Sequence, residues 1–117
     1  VLSFTGSDRV GWHLKSLAGK KQVLLELGGN APCILDAGME LAPLLEPLLL
    51  SAFGYAGQVC VKAQRFFVHE DLQARFVADF AAGARALACG DPLDERTVVG
   101  PLIDEQACAR VRRWIAE

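Results

Sequence analysis

The run Gln22-Val23-Leu24-Leu25-Glu26-Leu27 constrains this chain most, because Gly28-Gly29-Asn30-Ala31-Pro32 follows it at once. An apolar run of this length suits a strand buried within a sheet. Two consecutive glycines break it, and Ala31 to Leu35 resumes as another strand. The break leaves one carboxylate, Glu26, near the strand's end. Ionised carboxylates are rarely left unpaired in apolar surroundings. Two readings stand for Glu26. It is a strand-end glutamate paired with a lysine or facing water, or it is a general base whose readiness is set by partial burial.

A second marked setting lies downstream at Gly57-Gln58-Val59-Cys60. A cysteine in a glycine-containing turn between a helix and a strand is open to a substrate and ringed by backbone N–H donors. Such donors favour a thiolate and stabilise an oxyanion. The plainer reading of Cys60 is a small buried apolar residue. Cys33, Cys89 and Cys108 keep that plainer reading. The wide spacing of the four cysteines matches no zinc pattern and no Cys-x-x-Cys motif, so no metal site is expected.

The remaining elements are read in chain order. Val1 to Thr5 is β-branched and apolar and runs into Gly6. Ser7 or Asp8 then caps a helix with Val10, Leu14 and Leu17 on one face, ending near Gly19. This junction is an ordinary strand–helix turn, or a phosphate or cofactor site built on free N–H groups. Gly6-Ser7 with Gly11 does not match the Gly-x-Gly-x-x-Gly fingerprint. Met39 to Tyr55 predicts a helix buried through Leu41, Leu44, Leu45, Leu48, Leu49 and Phe53. Pro43 and Pro47 place its regular part from about Pro47, with Pro43 in an irregular lead-in turn. A kinked helix continuous from Leu41 is the alternative. Val61 to Val68 predicts a strand. Glu70 or Asp71 caps a helix buried through Leu72, Phe76, Phe80, Ala84 and Leu87, which Gly90-Asp91-Pro92 stops. After a loop, Asp104 caps a last helix with Cys108, Val111, Trp114 and Ile115 on its apolar side. His13 and His69 are assigned nothing beyond a surface or structural place.

The 117 residues suffice for one domain or part of a larger one. Hydrophobic residues are 52% and charged residues 22%, the balance of a globular, soluble chain. A net charge of −2 without a basic block gives no reason to expect nucleic acid or an anionic membrane. The longest apolar run, Leu48 to Phe53, is too short to span a bilayer. No signal peptide is visible, so a reduced cytoplasmic setting is expected. The chain opens on Val1 within a strand, and a fragment is expected.

Together these stretches resemble the NAD(P)-dependent aldehyde dehydrogenase family over essentially the whole chain. Phe4-Thr5-Gly6-Ser7 with Gly11 resembles its cofactor turn. Leu25 to Pro32 resembles its glutamate signature, and Phe53-x-x-x-Gly57-Gln58-x-Cys60 its cysteine signature. The 34 positions from Glu26 to Cys60 fit the family. Gly90-Asp91-Pro92 and Gly100-Pro101-Leu102-Ile103 resemble later landmarks. The resemblance implies an aldehyde dehydrogenase-like α/β fold. Residues 1–28 would be the edge of a Rossmann-like cofactor domain, and residues 29–117 the first part of the catalytic domain.

The resemblance also implies roles. Cys60 is the nucleophile, and Glu26 activates the water that hydrolyses its thioester. The backbone N–H of Cys60 supplies part of the oxyanion hole. Gly6, Ser7, Gly11 and the Leu27 carbonyl contact NAD or NADP. The partners implied are a small aldehyde and, in the full-length protein, further copies of itself. The signatures look closest to the branch taking lactaldehyde, glyceraldehyde derivatives and similar small polar aldehydes. Two departures stand out. Lys62 replaces the small residue usual there and bears on the substrate channel or on packing. Paired prolines 43 and 47 are unusual for the helix that delivers the cysteine. The adenosine-binding strands, an upstream asparagine, a downstream glutamate and the late tunnel segment lie outside this sequence, so the piece is expected to be inactive alone. A CoA-acylating relative and a noncatalytic protein that kept the fold are the alternatives.

Overall fold

The computed structural model describes residues 1–117. Two strand–helix–strand units follow one another. In the first, β1 (Leu2–Thr5) leads through α1 (Asp8–Leu17) to β2 (Val23–Glu26), and the two strands pair in parallel. In the second, β3 (Ala31–Leu35) leads through α2 (Leu45–Phe53) to β4 (Ala63–Val68), again a parallel pair. Then come α3 (Glu70–Ala86) and α4 (Glu105–Ala116). Parallel neighbours need a crossover, and helices α1 and α2 supply it. No helix is long and apolar enough to cross a membrane.

The second pair carries a register shift. Ala31 pairs with Ala63, but Pro32 pairs with Arg65, leaving Gln64 as an extra residue on β4. The core forms where β3 and β4 meet α2 and α3. Leu35, Leu41 and Phe76 are buried at its centre, with Cys33, Leu48, Phe66, Val68, Leu72 and Phe80 packed against them. The Phe66, Phe76 and Phe80 rings lie 4.9 to 5.3 Å apart, within the range of favourable aromatic pairs. The stripe read for α3 is therefore the one that faces the core. Gly83 brings α3 onto α2, since a Cβ there would lie 2.5 Å from a methyl of Leu49.

Several boundaries differ from the sequence reading. The regular helix α2 begins at Leu45, two residues before Pro47, and Pro43 lies in a 3₁₀ turn over Ala42–Leu44. Pro47 fits because the first helical N–H groups have no partner within the helix. Helix α3 is capped by His69, not by Glu70 or Asp71: its Nδ1 accepts from the Asp71 N–H at 3.3 Å. Asp104 caps α4 as expected, accepting from the Ala107 N–H at 2.7 Å. On α1 only Gly11 is buried, and Val10 and Leu17 of its expected buried face are exposed. On α4, Trp114 and Ile115 are likewise exposed. Cys89 is exposed beside an isolated bridge to Val99, against the buried reading, while Cys33 and Cys108 are half-buried.

Candidate active site

The two chemistry-bearing loops meet where the two units touch. Strand β2 ends at Glu26, and Leu27 to Asn30 carry the chain across to β3. Opposite them, α2 ends at Phe53 and the chain turns through Gly54–Gly57 before Cys60. A Cβ on Gly29 would overlap the carbonyl oxygen of Cys60. The backbones of the two loops are thus in direct contact, and only glycine permits it. Arg65 of β4 adds a bond to the glutamate loop, its Nη2 donating to the Asn30 carbonyl at 3.1 Å.

Glu26 and Cys60 line one cleft of about 500 Å³, together with Trp12, Lys15, Leu27 and Gly28. A second cleft of about 730 Å³ shares Leu27, Gly28 and Cys60 with the first. It extends to Gly6 and Ser7 on one side and to Lys62 and Gln64 on the other. The structure therefore brings together Gly6, Ser7, Glu26, Leu27 and Cys60. Gly11 stands apart. It is buried in α1, where a Cβ would lie 2.5 Å from a Leu27 methyl, so it seats the helix against the glutamate loop and lines neither cleft.

Glu26 is exposed, and no lysine or arginine pairs with it. This is the water-facing form of its first sequence reading, and neither a lysine partner nor the partial burial of the second is found. Glu26 lines the open cleft. Cys60 is exposed as well, which removes the reading of a small buried apolar residue.

The turn that presents Cys60 is left-handed at three consecutive residues: Tyr55 (φ 54°), Ala56 (φ 54°) and Gly57 (φ 69°). Non-glycine residues rarely adopt this region, and where they do surrounding contacts hold them there. The turn closes with the Gln58 N–H donating to the Tyr55 carbonyl at 3.1 Å and the Lys62 N–H to the Val59 carbonyl at 3.2 Å. The N–H groups of Val59, Cys60 and Val61 donate to no protein group. They are free to bind an oxyanion formed at Cys60.

The Gly6–Ser7 turn suits an anionic cofactor. Ser7 is the N-cap of α1, yet its hydroxyl makes no capping bond, and the first N–H groups of the helix have no acceptor within it. The second cleft is lined by no carboxylate, and its charged residues are Lys62 and Arg110. A dinucleotide phosphate fits these donors.

The sequence reading missed Gln58 as a functional side chain. Its Oε1 accepts from the Ile103 N–H at 3.0 Å, and its Nε2 donates to the carbonyls of Tyr55 at 3.2 Å and Pro101 at 3.4 Å. An amide two residues before the cysteine was the available signal, but its partner lies 45 residues away.

The two parallel strand–helix–strand units make an α/β fold, with Glu26 and Cys60 lining one cleft. The aldehyde dehydrogenase family profile matches residues 1–117. This chain belongs to the aldehyde dehydrogenase family. It is 43% identical over 118 residues to the NADP(+) succinate-semialdehyde dehydrogenase of Escherichia coli, covering 99% of this chain and 24% of that protein. It is 42% identical over 115 residues to the lactaldehyde dehydrogenase of Methanocaldococcus jannaschii, covering 98% of this chain and 25% of that protein. Its structure superposes on a Mycobacterium tuberculosis aldehyde dehydrogenase complexed with NAD+ with a TM-score of 0.92 and 34% identity. That match covers 97% of this chain and 24% of the other. The chain thus spans about a quarter of the length of the relatives it matches.

Proposed function

We propose that this chain carries the nucleophile and the general base of an NAD(P)-dependent aldehyde dehydrogenase that converts a small polar aldehyde into its carboxylic acid. The observation that supports this best is the single cleft lined by both Glu26 and Cys60, with the Gly6–Ser7 turn opening onto the adjoining cleft. On this reading residues 1–28 belong to the cofactor domain and residues 29–117 to the catalytic domain. The protein acts as a cytoplasmic homo-oligomer.

The Cys60 thiolate attacks the aldehyde carbon. A carbon–sulfur bond forms, the carbonyl π pair moves to oxygen, and the alkoxide is held by the free N–H groups around Cys60. Gly6, Ser7 and the Leu27 carbonyl would hold NAD or NADP, which when bound would supply the acceptor for the hydride from this carbon as its carbonyl re-forms. Cys60 is then left holding a thioester. Glu26 takes a proton from water, the water oxygen attacks the acyl carbon, and the carbon–sulfur bond breaks. Cys60 returns as thiolate and the acid departs. The substrate class rests on the similarity to succinate-semialdehyde and lactaldehyde dehydrogenases.

The test is intact mass spectrometry of the protein expressed from its complete reading frame. Wild type and Glu26→Gln are incubated with oxidised cofactor and a panel of small aldehydes. An acyl adduct on Cys60 that accumulates only in the variant supports both roles. Turnover by wild type with no adduct in the variant removes Glu26 from deacylation. Absence of any reaction in either protein counts against the dehydrogenase reading as a whole.

A further inference from the structure

Cys60 is reached through a backbone that holds its shape only with help. Tyr55 and Ala56 stand in the left-handed region without being glycine. One side chain within this turn reaches a distant segment, and it is Gln58. Its amide is used at both ends. The oxygen accepts from the Ile103 N–H at 3.0 Å, and the nitrogen faces two carbonyls, Tyr55 at 3.2 Å and Pro101 at 3.4 Å. The Tyr55 carbonyl thus receives the Gln58 backbone N–H and side chain together, at the residue where the left-handed run begins.

We propose that Gln58 is a positioning residue for Cys60, an amide clamp between the strained turn and the Gly100–Ile103 segment that sets where the thiol and its neighbouring N–H groups point. The clamp works against the stop on the other side, where the Cys60 carbonyl rests on Gly29. With one side fixed by backbone contact and the other by the amide, the thiol and the free N–H groups of Val59, Cys60 and Val61 keep one mutual orientation. Attack and oxyanion binding both depend on that orientation, and small displacements cost large factors in rate. At neutral pH a carboxamide meets both needs, offering an acceptor to Ile103 and a donor to the carbonyls. A carboxylate keeps the first and loses the second while ionised. Leucine keeps neither. The proposal rests on the dehydrogenase reading for its consequence in catalysis, though not for the clamp itself.

The test uses the protein expressed from its complete reading frame. Wild type, Gln58→Leu and Gln58→Glu are compared by the single-turnover burst of reduced cofactor, by the rate of Cys60 alkylation with iodoacetamide, by cofactor affinity, and by hydrogen exchange of the Ile103 amide. Gln58→Leu is expected to slow the burst at least about tenfold, to change alkylation as well, and to leave cofactor affinity within about twofold. Its Ile103 amide exchanges faster. Gln58→Glu is expected to keep Ile103 protected yet lose the burst, and its deficit relative to wild type narrows only as pH falls toward the ordinary glutamate value of about 4.3, where the carboxyl regains a proton to donate. A role in stability alone does not produce that pH dependence. Burst and alkylation rates within about twofold of wild type in both variants overturn the proposal. So does an equal loss of burst, cofactor affinity and folded fraction. If Gln58→Leu does not fold, the Ile103 amide of the wild type decides, since unprotected exchange there rules out the clamp. A wild type that turns over no aldehyde counts against the dehydrogenase reading, and alkylation with exchange still judges the clamp.

Discussion

Gly29 lies so close to the Cys60 carbonyl oxygen that a single added carbon has no room between them. The spacing of the glutamate loop and the cysteine loop is therefore set by peptide against peptide. Gly29→Ala is expected to push the loops apart, destabilising the fold by about 1–3 kcal/mol as overpacking does. It is also expected to lower kcat/KM by at least about tenfold. Gly28 is the control, since an added Cβ there meets nothing within 4 Å. Steady-state kinetics and urea unfolding of Gly28→Ala and Gly29→Ala decide the matter. Equal effects from the two would refute the contact's role.

The left-handed turn yields a paired prediction. Ala56 has a φ of 54° and Gly57 a φ of 69°. A left-handed L-residue costs roughly 1–2 kcal/mol, of which the greater unfolded-state freedom of glycine returns about 0.4–1. Ala56→Gly is thus expected to stabilise the protein by up to about 1 kcal/mol, and Gly57→Ala to destabilise it by a similar amount. Chemical denaturation measures both, and a destabilising Ala56→Gly goes against the conformation described.

Phe76 is the aromatic at the centre of the core, against Phe66 and Phe80. Phe76→Ala is expected to cost about 3–5 kcal/mol, the lost transfer energy plus the cavity left behind. Phe67, on the opposite face of β4, is half-exposed, and Phe67→Ala is expected to cost under about 1 kcal/mol. The difference between their urea midpoints is the measurement.

The turn after Gly90 responds to acid. The side-chain hydrogen bonds from Arg96, and then its backbone N–H, hold the Asp94 carboxyl below its ordinary 3.8, against a small opposing desolvation. The folded state thus favours the ionised form. The contribution is present above the ordinary value and is lost as pH falls through the lowered one. Arg96 is exposed and Asp94 half-buried at the surface, so a local effect is expected rather than a global one. The Arg96 Nε–H resonance followed by pH titration is expected to shift only in strong acid. Asp94→Asn should abolish that titration step.

Much of this architecture was legible because it depends on local patterns. The 3.6-residue spacing of Leu72, Phe76, Phe80, Ala84 and Leu87 carried α3, and the Gly28-Gly29 break separated β2 from β3. Asp104 before an amphipathic run marked a helix start. Other features depend on partners distant in sequence. Nothing local says that Gly29 must be glycine because of Cys60, or that Gln58 answers to Ile103. The exposure of Glu26 was one of the readings left open, for a related reason. An apolar run signals a buried strand, but which side chains a cleft leaves open is decided by the neighbouring unit. His69 escaped notice as a cap because imidazole seldom serves there, and two acidic residues beside it looked better suited.

The extra residue at Gln64 settles the phase of β4. Side chains in a strand alternate between faces, so an uninterrupted strand that buried Ala63 would also bury Arg65 and Phe67. Phe66 and Val68 would then point outward. The bulge resets the count. Ala63 stays buried beneath the cysteine turn, where its N–H donates to Ser51 at 3.2 Å, and Phe66 and Val68 still reach the core. Gln64, left without a partner in the ladder, is turned toward the cleft that holds Cys60. One surplus residue thus lets a single strand answer to two masters, the nucleophile's loop at its start and the aromatic core along the rest of its length.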